Sequence, residues 1–313
     1  MRLGIFTGGA GETDTLDSLI TQAQQAETAG FASFWLPNLP TRNYDALLVL
    51  ALAGRATARI ALGTAVMPTY PRHPIALAQE AMTANAAAHG RLTLGIGLSH
   101  RPVIEDVMGL SYAHPARHMQ EYLTVLQALL HDHTVTYTGE ILRVTADISV
   151  PEPRPLPVLL AALAPRMLQL AGSMAEGTIT WMAGVKTLAT HVVPRLQAAA
   201  REAGRPAPRV CVGLPIAVTD DATGAREAAA RIFERYGQLA NYRRLLDLED
   251  AQGPADVAVI GKEDEVTRQL QALARAGATD FLAAIFPVGT DAAGSRVRTW
   301  ELLRSLQETA LTF

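Results

Sequence analysis

The chain has 313 residues, a length for one large domain or two ordinary ones, and its 49% hydrophobic residues suffice for a core that needs no cross-links. A formal net charge of −3 and an isoelectric point near 6.2 provide no basic field for nucleic acid. The single cysteine, Cys211, excludes an internal disulfide, and no apolar run is long enough to cross a bilayer, so the expectation is a cytoplasmic protein that engages neither membrane nor nucleic acid.

The first strand candidate, Leu3–Thr7, runs into Thr7-Gly-Gly-Ala-Gly11, and Asp14-Thr-Leu-Asp17 precedes a helix that stops at Gly30. Ser33–Leu36 and Ile60–Val66 read as the next two strands. The second of them continues as Met67-Pro-Thr-Tyr-Pro-Arg-His-Pro74 into an Ala-rich helix. Leu92–Gly97 follows as a fourth strand and runs into Leu98-Ser-His-Arg-Pro102. The segment Ser99–Leu156 is the longest interruption; it holds a helix, Ala116–Leu130, and the run Thr134–Val144, which reads as a hairpin turning at Thr138-Gly139. Pro157–Ala161, Thr178–Trp181, Arg209–Ala217 and Thr279–Phe286 complete eight strand candidates. Further breaks fall at Gly204–Pro208 and Gln238–Ile260, and Asp264 opens a helix that stops at Gly277.

Short apolar strands alternating with helical segments predict a parallel α/β sheet, and eight repeats favour a (β/α)8 TIM barrel over an open sheet. The expected organisation is one barrel domain over residues 1–313, with an insertion at about 99–156 that walls part of a substrate pocket. In such barrels the loops at the carboxyl ends of the strands form the ligand face.

Several motifs are set aside on chemistry. Thr7–Gly11 lacks the Gly-Lys-Ser/Thr ending of a phosphate loop, Gly95-Ile-Gly97 lacks the third glycine of a dinucleotide fingerprint, and Gly97-Leu-Ser-His-Arg101 lacks the second glycine of a nucleophile elbow. His131-Asp-His133 has no third ligand at a metal-binding spacing and reads as a solvated turn, so no metal is expected. His89 and His191 fall on helical segments and read as surface residues; Cys211 reads as a small core residue. Two features remain. Leu160-Ala-Ala-Leu-Ala-Pro-Arg-Met167 puts a proline-initiated helix directly after a strand, which suits either an anion or ordinary strand-to-helix packing. His100 directly follows the fourth strand, where an imidazole serves proton transfer or a structural hydrogen bond.

Taken together, Gly63–Pro74, Leu94–His100, Arg117-His-Met-Gln-Glu-Tyr-Leu123 and Ala161–Pro165 resemble the luciferase-like flavin and deazaflavin oxidoreductase superfamily, most of all its branch dependent on coenzyme F420. The resemblance implies a TIM barrel, a hydride-carrying deazaflavin with a phosphate-bearing poly-glutamyl tail, and a non-prolyl cis peptide at Ala65–Val66 against the back of its ring. It also implies coenzyme contacts from Leu98, Ser99 and His100, phosphate contacts from the backbone of Ala162, Leu163 and Ala164, and a cavity lined by Thr180 and Trp181. The chain departs from the alcohol and sugar-phosphate dehydrogenases of that branch, carrying Pro37-Asn38 in place of an Asp-His pair and His100 in place of an acidic residue. The reading is therefore reduction of a polarised C=C or C=N bond of a small organic substrate by reduced F420, with His100 as proton donor and Asn38 as orienting group. An FMN-dependent monooxygenase and a non-catalytic deazaflavin-binding protein are the alternatives, and a homodimer is compatible with the Ala-rich helices.

Overall fold

The computed structural model describes residues 1–8 and 14–308, so Gly9, Ala10 and Gly11 of the glycine-rich loop lie outside the described residues. Its strands are β1 (Arg2–Phe6), β2 (Ser33–Leu36), β3 (Ala61–Thr64), β4 (Met67–Pro68), β5 (Leu92–Gly97), β6 (Thr134–Thr138), β7 (Arg143–Asp147), β8 (Val158–Ala161), β9 (Gly177–Trp181), β10 (Arg209–Val218), β11 (Val259–Gly261) and β12 (Asp280–Ile285). Parallel pairing runs β1-β2-β3-β5-β8-β9-β10-β12 and returns from β12 to β1, closing an eight-membered barrel. Its members are the eight strands predicted from the sequence. Strands such as Leu92–Gly97 are buried at every residue, as parallel strands covered on both faces must be. Phe6, Trp35, Leu159, Ile179, Cys211 and Leu282 fill the barrel, and a larger apolar layer packs between strands and helices.

The differences from the sequence-based expectation have local causes. The predicted third strand divides: β3 ends at Thr64, Ala65–Val66 is a cis peptide, and β4 resumes pairing with β5 through Met67 opposite Ile96. A Cβ on Gly97 would meet the Val66 side chain at 2.7 Å and the Ala161 Cβ at 3.1 Å, so only glycine lets this break nest against β5. The helix Leu16–Thr28 stops as expected, with Gly30 at φ +84° donating to the Glu27 carbonyl at 3.0 Å. The later helix starts at Glu263, one residue before Asp264, because the Glu265 carboxylate accepts from the Lys262 N–H at 3.0 Å. The segment Gln238–Ile260 is built rather than open, holding the helices Ala240–Glu249 and Pro254–Val257 and the short β11.

The hairpin turns later than Thr138-Gly139: Thr138 still pairs with Arg143, leaving a four-residue loop at 139–142. The buried carboxylate of Glu121, on the helix Pro115–His131, accepts from the N–H groups of Glu140 (3.0 Å), Ile141 (2.9 Å) and Leu142 (2.8 Å). By accepting from three successive loop N–H groups, this one acid holds the four-residue loop in place. Glu121→Ala is expected to lower stability by about 2–3 kcal/mol, read as a shift in the urea midpoint, because it strands these donors.

One histidine departs from its expected surface position. His191 is buried, and its Nε2 lies 2.8 Å from the Leu163 carbonyl; a polar ring lying between helix and barrel is satisfied by that one acceptor. His89 is exposed but sits just beyond the helix Pro74–Ala87, at φ +53°. Among the described residues no helix is long and apolar enough to cross a membrane.

Candidate active site

At the carboxyl end of the barrel, Ala65, Val66, Ala161 and Trp181 pack onto the interior residues Phe6 and Trp35, so the segments after β3, β8 and β9 converge on one mouth. Aromatic edges wall it. Trp181 meets Phe6 (5.4 Å between ring centroids), Phe233 (5.9 Å) and Tyr236 (5.7 Å), and Tyr236 in turn meets Tyr242 at 5.2 Å. The Trp181 indole N–H is sealed from solvent with no hydrogen-bond acceptor; the Tyr236 hydroxyl lies nearby without reaching bonding geometry. Alternation along β9 turns Thr180 to the opposite face from Trp181. Thr180 is buried there, its hydroxyl directed at the Cys211 carbonyl at 3.5 Å, so the cavity-lining role expected for Thr180 passes to Trp181 alone.

Leu98, Ser99 and His100 follow β5, half-buried, with Ser99 at φ +62°. The Tyr112 hydroxyl donates to the Ser99 carbonyl at 3.4 Å, and Tyr112 stacks on Tyr70, which lies flat on His118 at 4.0 Å. Burial lowers the His118 pKa to about 4, so the ring is neutral near pH 7, and its Nε2 sits 3.0 Å from the Thr69 hydroxyl. This stack props the loop that carries His100. The His100 ring tilts against Tyr242 at 5.6 Å, and burial followed by the nearby Arg235 guanidinium holds its pKa below the ordinary value. Asn38 is used differently from the orienting role expected of it: its Oδ1 accepts from the Ala46 N–H at 2.9 Å at the start of the helix Ala46–Ala56.

Beside the mouth, Ala162, Leu163 and Ala164 lead into the helix Pro165–Met174, whose N-terminus has no side-chain cap. The neighbouring helix Pro115–His131 also starts uncapped. Between them lies a cavity of about 330 Å³ lined by His114, Arg117, Gln120 and Arg166. Two helix N-termini and two guanidinium groups make it suited to an anion. Arg166 is oriented by Gln169 (2.6 Å) and Gln120 (3.2 Å), and Arg117 pairs with Glu140.

Phe233, Tyr236 and Tyr242 came from no sequence motif. Only 5% of the chain is aromatic, yet three aromatic residues fall between positions 233 and 242, just beyond β10; that concentration was the available signal. The wall expected from the insertion at 99–156 is thus shared with the segment after β10, which supplies the rings around Trp181 and His100.

A closed parallel barrel whose carboxyl-end mouth combines small residues, aromatic walls and an adjoining anion cavity is a TIM barrel with its ligand face in the usual place. The model of the luciferase-like monooxygenase family matches residues 1–294, and the chain belongs to that family. An uncharacterized protein of Mycobacterium tuberculosis is 30% identical over 236 residues, 71% of this chain and 68% of its own length. The 5,10-methylenetetrahydromethanopterin reductase of Methanopyrus kandleri is 25% identical over 311 residues, covering 85% of this chain and 88% of its own. A solved structure of a coenzyme F420 dependent tetrahydromethanopterin reductase from Methanopyrus kandleri shares the fold, with a TM-score of 0.75 at 23% identity over 97% of this chain and 96% of that one.

Proposed function

We propose that this protein reduces a polarised C=C or C=N bond of a small organic substrate with reduced coenzyme F420. The observation that carries the reading is that the chain runs from Ala161, packed at the aromatic mouth, through Ala164 into the uncapped helix whose Arg166 lines the cavity with Arg117. It matches a flat ring joined to an anionic tail. The chain's residues fit such a group on two counts: Ala65 and Val66 offer small and branched side chains to a ring face, and the uncapped helix ends offer N–H groups to a phosphate.

When bound, the reduced coenzyme supplies a hydride to one atom of the acceptor bond, and a proton must reach the other. His100 is the group placed to hold that proton. Phe6, Trp181, Phe233 and Tyr236 exclude water from the mouth, and Arg117 and Arg166 hold the anionic end. Because the ordinary imidazole pKa is lowered here, the protonated fraction of His100 rises only as pH falls below that value, so the reduction rate is expected to rise toward acid pH. Arg235→Gln removes a cation that opposes protonation and should move the inflection upward; a pH profile of kcat checks it.

Tryptophan fluorescence, with Trp181 in the mouth, tests the coenzyme directly by titration with F420 and separately with FMN. Selective quenching by F420, weakened at least about tenfold in Arg166→Ala through loss of a charged contact, is the expected result. Selective FMN binding with oxygen consumption would instead make the protein a monooxygenase of the same family, and tight F420 binding without turnover of any acceptor would make it a carrier.

A further inference from the structure

We infer that Glu249 is a positioning residue for the mouth: its carboxylate clasps the loop after β9 and so holds the aromatic wall against Trp181. The inference rests on the reading of the mouth as a reduction site. The wall itself comes from a separate excursion of the chain. Phe233 and the short helix Glu234–Gln238, which carries Tyr236, lead into the helix Ala240–Glu249, which carries Tyr242, and neither helix has a side-chain cap at its start. Trp181 instead ends β9, and Gly184-Val-Lys-Thr187 follows it into the next helical segment. Tyr236 meets Trp181 at 5.7 Å and Tyr242 meets His100 at 5.6 Å, so the shape of the mouth depends on how these segments are fastened together.

Glu249 makes that fastening from the last turn of its helix. Its Oε1 accepts from the Lys186 N–H at 3.0 Å and its Oε2 from the Thr187 N–H at 2.7 Å. The Thr187 hydroxyl donates in return to the Leu245 carbonyl at 3.3 Å, one turn earlier on the same helix. Thr187 is wholly buried, so removing the carboxylate strands a buried donor. The Lys186–Asp250 ion pair joins the same two segments, but both of its side chains are exposed and water screens it.

Gly184 shows how closely the carboxylate is seated. Its φ of −83° is open to any residue, yet a Cβ there would lie 2.4 Å from the Glu249 carboxyl carbon. A side chain at 184 is admitted only by pushing the carboxylate off its two donors. Tyr242, Leu245 and Glu249 fall at i, i+3 and i+7, on one face of the helix, so the face that ends on the Lys186 and Thr187 N–H groups is the face that sets Tyr242 on His100.

Hydrogen exchange followed by mass spectrometry on the full chain without coenzyme tests this. In Glu249→Ala the amides of 185–188 and of 234–248 should exchange at least about tenfold faster, while β1, β5 and β8 keep their protection. Acrylamide quenching of tryptophan emission should rise as the wall leaves Trp181, and the rise should vanish in a Trp181→Phe background. Gly184→Ala should reproduce the local acceleration and add nothing to Glu249→Ala, because both act through one contact. Asp250→Asn should exchange like the parent protein. With coenzyme and acceptor present, kcat in Glu249→Ala should fall at least about tenfold while the F420 dissociation constant stays within about threefold. Acceleration confined to 185–188, acceleration spread evenly through the barrel, additive effects of the two substitutions, or an unchanged kcat with the wall released would overturn the inference. F420 titration of the same samples reports on the coenzyme reading, and the exchange needs no coenzyme, so the two can fail independently.

Discussion

Replacing His100 with alanine is expected to lower the rate of substrate reduction by about 10²–10⁴-fold, the usual contribution of one positioned general acid, while leaving the dissociation constant for F420 within about threefold. The split follows from geometry. His100 reaches the mouth from the loop directly after β5, whereas the anionic end of the coenzyme is assigned to the backbone at Ala164 and to Arg166, one strand further round the barrel, and to Arg117 on the helix Pro115–His131. Single-turnover oxidation of bound reduced coenzyme by an acceptor, followed by its absorbance, separates the two quantities. Full turnover in His100→Ala removes His100 from proton delivery and leaves its contact with Tyr242 as a packing role. His100→Gln sharpens the result: glutamine keeps a donor but cannot exchange a proton at this pH, so a purely positioning role predicts recovery and a proton-transfer role does not.

How much of the fold is legible in the sequence depends on which interactions are local. Each barrel strand is a short apolar run closed by a helix signal, so period and punctuation alone located all eight. The break at Ala65–Val66 was reached through family likeness, since nothing in Gly63-Thr-Ala-Val66 marks a cis bond by composition. Residues whose roles are set across the fold escaped. Glu121 reads as one more helical acid until Glu140, Ile141 and Leu142 fold back onto it, and His191 reads as a surface residue until Leu163 turns its carbonyl toward the ring. Thr180 was misplaced for a simpler reason: strand alternation permits only one of two neighbours to face the mouth, and the aromatic contacts choose Trp181. Tyr236 and Tyr242 reach Trp181 and His100 over 55 or more positions of intervening chain, a separation that no local pattern encodes.

The largest stability effect is expected at the opposite end of the barrel. Asp280 opens β12 almost wholly buried, and its carboxylate meets Arg2 at 2.7 Å, Arg209 at 3.1 Å and the Thr279 hydroxyl at 2.6 Å, tying β1, β10 and β12 together at the amino-terminal face. Burial alone would raise its pKa, but Arg209, Thr279 and Arg2 outweigh burial and hold it below the ordinary value. Asp280→Ala leaves Arg209 partly buried opposite no charge, and the expected cost is about 3–5 kcal/mol, a large share of the roughly 5–15 kcal/mol that keeps a domain folded. The sign of the pH dependence follows from the depressed pKa. The carboxylate's contribution is complete above the unfolded value of about 3.9 for aspartate, and is lost as pH falls through the lower folded value. Chemical denaturation of the two proteins should therefore show a gap that is constant through neutral pH and narrows only in strong acid. A gap that widens toward acid, or is absent at pH 7, would mean that β1, β10 and β12 are held by their backbone ladder and apolar layers without this acid. Because the mouth lies at the far ends of the same strands, F420 affinity in the surviving folded fraction should be unaltered, which separates the barrel's fastening from its chemistry.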